Sequence, residues 1–93
     1  MGRAKRPHPL KLPRKLIKIR RSLKLSQNEM LRRLGLDESY DRSTISGYER
    51  GEREPPLPVL LRYAEAANIC LDVLADDKQP LPPELPAKKR NRH

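Results

Sequence analysis

The residues of this chain that could do chemistry are hydrogen-bond donors and cations rather than catalytic groups. Its two histidines, His8 and His93, lie near the ends of the chain, and no glycine-rich phosphate-binding loop is present. Cys70 is the single cysteine, which excludes an internal disulfide and a cysteine-rich zinc site. We therefore expect a protein that is not an enzyme and that uses no cofactor and no metal.

Small and hydrogen-bonding side chains are concentrated in one short segment that is predicted to be helical. Those expected to point outward from it are Arg42, Ser43, Thr44, Ser46 and Gly47. Ile45 and Tyr48 are three residues apart and are expected to anchor the opposite side. A rigidly supported helix with such an outward face has the properties that are needed to contact base edges in the major groove of DNA.

The net charge of +9 is distributed unevenly along the chain. Residues 1–24 carry ten Lys and Arg residues without an acid, and residues 88–92 carry four more. The region between them holds all twelve acids against seven basic residues. This pattern suits a polyanionic partner that is reached by basic arms, with purely solubilising charge as the alternative.

Apolar residues at helical spacing predict a first helix from Pro13 to Lys24. Lys15, Lys18 and Arg21 are expected to lie off its apolar face. The residues of that face are Leu12, Leu16, Ile19 and Leu23.

Capping signals define the next two helices. Ser26 and Glu29 have the spacing of a capping box and predict a second helix over residues 26–34, which Gly35 ends. Asp41 is the expected N-cap of the third helix, which ends at Gly51.

Two further helices complete a predicted all-α domain over residues 12–76. Pro58 is expected to open the fourth helix, which Asn68 closes. A short fifth helix over residues 71–75 is expected to bury Leu71 and Leu74. The residues that the fourth helix is expected to bury are Leu60, Leu61, Ala64 and Ala67.

Both ends of the chain are predicted to lie outside this domain. Residues 1–11 are basic and interrupted by proline, so we interpret them as a flexible, disordered arm. Residues 77–93 form a Pro-rich basic tail that favours polyproline II; we interpret it as a spacer, with docking on a partner protein as the alternative. No apolar run suits a membrane span or a signal peptide, so a cytoplasmic location is expected.

The middle of the chain resembles the Cro/C1-type helix-turn-helix family, also called the XRE family, to which phage repressors belong. The resemblance spans about residues 12–75 and implies a five-helix, lambda-repressor-like fold. It also implies a transcriptional regulator, expected to be a repressor, that binds double-stranded DNA. The matching residues are Ile19, Arg20, Leu23, 25–27, Glu29, Met30, Leu34, Gly35, 43–46, 48–51, Pro55, Leu61, Tyr63, Ala64 and Ile69.

The resemblance also implies roles for individual side chains. The third helix matches the recognition helix of the family, which implies that its outward residues named above contact bases. Gly47 stands where the family often has a base-contacting side chain, which leaves a contact from that position open. Arg20 and Glu49 match an ion pair that joins the first helix to the end of the third, and we interpret both as scaffold residues. The residues expected to contact DNA phosphates are Ser26, Gln27, Lys24, Arg50 and Arg53.

Two features depart from the pattern of the family. The loop from Leu36 to Asp41 is longer than in compact phage repressors, and Leu31 stands where Ala or Gly is usual. A longer turn would respace the two helices around the larger side chain. Tyr40 is expected to cover the helix junction, with a DNA contact as the alternative.

Three functions from different classes fit the sequence. The leading one is a stand-alone regulator that is a homodimer on DNA, with contacts near Pro56, Leu57 and Leu74. The second is an antitoxin or adaptor whose tail binds a protein partner. The third is a nucleic-acid binder with little sequence preference, driven by the basic arms.

Overall fold

The computed structural model describes residues 9–88, which form five helices and contain no strand. The all-α fold with five helices is therefore confirmed. The predictions for residues 1–8 of the arm and 89–93 of the tail lie outside the described residues. The helices are α1 (Leu12–Ser22), α2 (Gln27–Arg33), α3 (Arg42–Glu49), α4 (Leu57–Ala67) and α5 (Leu71–Ala75).

The predicted caps begin α2 and α3. In the capping box of α2, the Glu29 N–H donates to Ser26 Oγ at 3.1 Å, and the Ser26 N–H donates to Glu29 Oε1 at 2.7 Å. At α3, the Asp41 carboxylate accepts the Ser43 N–H at 3.0 Å. Each such cap is worth about 1 kcal/mol. These bonds fix where the two helices of the turn begin.

The core lies where α1, α2, α3 and α4 meet and is closed at one end by α5. Its aliphatic side chains interlock without phenylalanine or tryptophan, and removing one of them costs about 2–5 kcal/mol. Tyr63 is the bulkiest residue of the core; its hydroxyl makes no hydrogen bond to any residue that the structure describes. Burial raises the pKa of this hydroxyl well above its usual value. The largest fully buried side chains are those of Tyr63, Leu16, Ile19, Met30, Leu34, Ile45, Ile69 and Leu74.

The predicted buried face of α4 is partly wrong. Leu61 was expected in the core but is 44% exposed, whereas Val59 and Tyr63 are buried. Tyr63 lies three residues after Leu60, so it shares the inward stripe, and Leu61 turns away from it. Leu71 of α5 is only half-buried, and α4 begins at Leu57 rather than Pro58.

Helix α1 buries a lysine that was expected to lie off its inward face. Lys15 is only 6% exposed. Its Nζ donates to the carbonyl oxygens of Val73 at 2.6 Å, Asp76 at 3.0 Å and Gln79 at 2.8 Å. Carbonyls at the end of a helix lack intrahelical donors, so a cation there is favourable. Burial lowers the pKa of Lys15, against the opposing charges of Asp77 and Asp76.

The segment after α5 packs onto the domain rather than leaving it at residue 76. Leu81, Leu85 and Ala87 lie against the core. The Ala87 N–H donates to the Ala67 carbonyl at 2.9 Å, and Asn68 Nδ2 donates to the Ala87 carbonyl at 2.7 Å. Apolar residues between the prolines supply the packing surface that composition alone did not indicate. The spacer interpretation therefore does not hold for residues 77–88.

Candidate nucleic-acid interface

The outward face of α3 carries a row of polar side chains. Arg42, Ser43 and Arg50 are exposed, and Ser46 is partly exposed between them. Their spacing puts all four on one side of the helix. The outward orientation expected for Arg42, Ser43 and Ser46 is therefore confirmed.

Thr44 and Gly47 do not point outward, contrary to the prediction. Thr44 is 4% exposed and Gly47 is buried. The chain after α3 folds back against Gly47, since the N–H groups of Glu52 and Arg53 both donate to the Gly47 carbonyl, at 2.9 and 3.2 Å. The side chain of Arg53 then lies against Gly47, with its methylenes where a Cβ would contact them.

An ion pair fixes the C-terminal end of α3, as predicted. Arg20 Nε lies 2.7 Å from Glu49 Oε2, and Arg20 Nη2 lies 3.1 Å from Oε1. Arg20 Nη1 also donates to the Leu25 carbonyl at 3.0 Å. The two side chains are 15% and 5% exposed, and their hydrogen bond raises the pKa of Arg20. This bidentate geometry holds α1 to α3 in one orientation.

Glu49 also positions the first turn of α2. Gln27 Nε2 donates to Glu49 Oε1 at 3.1 Å. This bond was not predicted, because the family pattern indicates only the pair of Glu49 with Arg20. Gln27 thus stands at the beginning of α2 with its amide oriented by the scaffold pair, beside backbone N–H groups that suit an anion.

The other expected phosphate contacts are not oriented by the pair of Arg20 with Glu49. Ser26 uses its hydroxyl oxygen and its N–H in the capping box. Lys24 is exposed in the turn before α2 and has a positive φ of 62°. Arg50 forms an exposed ion pair with Glu52 at 3.0 Å, which is worth little in water. Lys24 and Arg50 are therefore cations on the exposed surface beside α2 and α3.

The long loop leaves an open concavity of about 420 Å³ at the N-terminal end of α3. It is lined in part by Tyr40, Asp41, Thr44 and Arg53. Tyr40 is 51% exposed, so it does not close the helix junction as expected. Leu31 fills that junction instead, because it is almost fully buried.

An exposed apolar surface lies at the beginning of α4. Leu57 and Leu61, four residues apart, are the exposed large hydrophobic residues of that helix, and Pro56 is exposed beside them. Leu74 was expected at a contact between two copies, but it is fully buried. The predicted burial of Leu74 in α5 is thus confirmed, and its own side chain is not available for a contact between two copies.

Neither a metal site nor a membrane-spanning helix is found in the part of the chain that the structure describes. Residues 9–88 contain no group of ligating side chains that could hold a metal ion. None of the helices among them has the length and apolar character needed to cross a bilayer.

Two capped helices joined by a turn, the second with a polar outward face, define a helix-turn-helix DNA-binding domain. A family model described as helix-turn-helix matches residues 16–74. The chain belongs to this Cro/C1-type helix-turn-helix family and is a DNA-binding protein of the transcription-regulator kind. No curated protein and no solved structure matches it.

Proposed function

We propose that the protein is a site-specific transcriptional repressor that places α3 in the major groove of double-stranded DNA. The observation that carries this proposal is the row of Arg42, Ser43 and Ser46 on a helix that is fixed at both ends. Asp41 caps its beginning, and the pair of Arg20 with Glu49 holds its end. A supported helix can place short polar side chains against base edges with little loss of entropy.

Arg42 is the proposed base contact with the longest reach. Its guanidinium fork matches the O6 and N7 atoms of guanine. The Ser43 hydroxyl donates to Asp41 in the free chain and would give up that bond to contact a base. Ser46 would contact a base without giving up a bond of this kind. Contacts from Thr44 or Gly47 would require Arg53 to move first.

Basic and amide groups around α3 are the proposed phosphate contacts. Gln27 has the strongest support, because Glu49 orients its amide at the beginning of α2. Lys24, Ser26 and Arg50 are proposed to contact the same DNA backbone. Phosphate contacts set the register of the protein on the duplex without selecting its sequence.

The regulator is proposed to bind as a homodimer that assembles on DNA. Leu57 and Leu61 supply an exposed apolar contact surface, with Pro56 beside it. A protein partner bound through the tail has less support, because Leu81, Leu85 and Ala87 pack against the core of their own domain.

The test begins with selection of bound sites from random duplex DNA by the full chain. Arg42→Ala and Gln27→Ala are then measured on every single-base variant of the selected site. Arg42→Ala should cost about 1–3 kcal/mol on the preferred site and remove the preference at one base position. Gln27→Ala should lower every affinity by a similar factor, since a phosphate contact carries no direct base information.

Thermal unfolding of both variants controls for damage to the scaffold, because Gln27→Ala also removes the bond to Glu49. Equal binding of selected and random duplexes at physiological salt would contradict the proposal and favour a binder without sequence preference. A uniform loss in Arg42→Ala would instead make Arg42 a phosphate contact.

A further inference from the structure

Gly47 has no side chain, and Arg53 occupies the space where one would lie. A Cβ atom on Gly47 would be 3.2 Å from Cδ of Arg53, 3.3 Å from its Cγ and 3.6 Å from its Nε. Those distances are at or inside ordinary van der Waals contact. The methylenes of Arg53 therefore pack on the bare backbone of the recognition helix, and only a glycine at position 47 permits this without a shift.

The backbone holds Arg53 in this place. Gly51 ends α3 with a φ of +75°, a conformation that suits glycine, and the chain reverses there. The N–H groups of Glu52 and Arg53 then donate to the Gly47 carbonyl. The position of Arg53 over Gly47 is thus set by the C-terminal turn of the helix, and does not depend on a chance rotamer alone.

Arg53 also lies near the beginning of α3. It lines the same concavity as Asp41, Ser43 and Thr44. Its charge helps the hydrogen bonds from Ser43 to hold the pKa of Asp41 below its usual value. The cationic end of Arg53 consequently lies beside the outward row of α3, on its flank.

The neighbouring carboxylate disfavours a phosphate at this place. Asp41 would repel a phosphate that approached Arg53, whereas a neutral base edge meets much weaker repulsion. Both arginines are exposed, but Arg50 has a different setting: it lies at the C-cap of α3 and, among the described residues, pairs with the exposed Glu52. Of these two arginines, Arg53 is the one whose stem is packed along the helix.

We propose that Arg53 is a specificity-determining residue that contacts a base edge from the flank of α3, in place of the side chain that Gly47 lacks. This inference rests on the proposed function, in which α3 lies in the major groove. An arginine fork suits guanine, whose O6 and N7 it can contact together. Packing of the stem on Gly47 restricts the side chain before binding, which lowers the entropy lost on contact.

The first experiment compares three variants with the parent chain on the selected site and all of its single-base variants. Arg53→Ala should lower affinity for the preferred site roughly 10- to 100-fold and make the four bases nearly equal at one position. Arg53→Lys keeps the charge without the fork, so it should show the same loss of preference. Arg50→Ala removes the same charge from an exposed place and should weaken all duplexes alike.

The outcomes separate this inference from the proposed function. A parent chain that does not discriminate between duplexes would overturn both. A parent chain that discriminates, together with an Arg53→Ala variant that weakens every duplex by one factor, would leave the proposed function standing. That result would overturn the role of Arg53 as a base contact and make it a phosphate contact.

A fourth variant tests whether Gly47 permits the contact. Gly47→Ala retains Arg53 but puts a methyl group against its stem, so it should reduce preference at the same base position as Arg53→Ala. Alanine favours a helix more than glycine does, and thermal unfolding should show no loss of stability. In the double variant that combines Gly47→Ala with Arg53→Ala, the change at Gly47 should not alter the base preference at that position any further. An equal effect of Gly47→Ala with and without Arg53 would overturn the coupling.

Discussion

Helix α1 holds two cations against the rest of the domain, and it does so in two different ways. Arg20, near its end, forms a bidentate pair with the carboxylate of Glu49 on α3. Lys15, one and a half turns earlier, donates to backbone carbonyls of α5 and of the segment after it, including that of Val73. A planar fork suits a carboxylate, whereas an ammonium can donate three separate bonds to carbonyls.

The two cations differ in how well the sequence predicts their partners. Arg20 and Glu49 could be predicted together, because the two side chains match a charged pair in the pattern of the family that the chain resembles. Every residue offers a backbone carbonyl, so the acceptors of Lys15 have no particular side chain. A lysine that closes a helix end consequently looks like a solvated lysine until the chain is folded.

The two sides of α1 also support different parts of the molecule. The pair at Arg20 orients Gln27 and the end of α3, which belong to the candidate nucleic-acid interface. The bonds of Lys15 hold the end of α5 and the segment after it. We therefore expect damage at Arg20 to affect DNA binding as well as stability, and damage at Lys15 to affect chiefly how the ends are held.

The largest effect is expected from Glu49→Ala, which leaves the inward-facing guanidinium of Arg20 without its carboxylate. Breaking one partner of such a pair should lower the free energy of unfolding by about 3 kcal/mol. Urea unfolding monitored by circular dichroism measures it. Glu52→Ala is the matched control, because its pair with Arg50 is exposed; it should change stability by less than about 0.5 kcal/mol. Equal losses in the two variants would contradict a special role for Glu49.

A smaller effect is expected from Lys15→Met, which keeps most of the apolar stem but removes the ammonium. Carbonyls that lose a charged donor in a buried place should cost about 2 kcal/mol, measured by urea unfolding. Hydrogen exchange should show faster exchange of the Ala87 N–H, because the segment after α5 loses one of its attachments. Lys18→Met, an exposed change on the same helix, is the control. If both variants unfold alike, the three bonds of Lys15 contribute nothing.

The features of the fold that could be predicted are those that short sequence patterns indicate. Ser26 with Glu29, and Asp41, marked the beginnings of α2 and α3, because a cap needs particular residues at fixed spacing. Leu61 was wrongly predicted to be buried, because residue type does not distinguish a leucine beside the inward stripe of Leu60 from a leucine on that stripe. Only packing against the other helices decides which stripe is buried.

The features of the site that the sequence did not predict depend on chain reversals. Arg53 lies six residues from Gly47, and nothing in that spacing indicates that its stem covers the glycine. The turn at Gly51 brings the two residues into contact. An outward face predicted from α3 alone could not include a side chain of the following segment that packs against the helix.

The smallest effect is expected at Asp77, where a carboxylate does for backbone N–H groups what Lys15 does for carbonyls. It accepts the N–H of Leu10 at 2.9 Å and the N–H of Lys11 at 3.0 Å, and these bonds lower its pKa. A carboxyl whose pKa is lower in the folded chain stabilises the fold fully above its unfolded pKa, about 3.9, and progressively less as the pH falls through the folded value. Asp77→Asn should therefore be less stable than the parent chain near neutral pH, and the difference should shrink toward pH 2 in thermal unfolding. Glu65→Gln, an exposed change on α4, controls for the general loss of negative charge. A difference that stays constant across the acid range would mean that the charge of Asp77 does not hold the N-terminal segment to the end of α5.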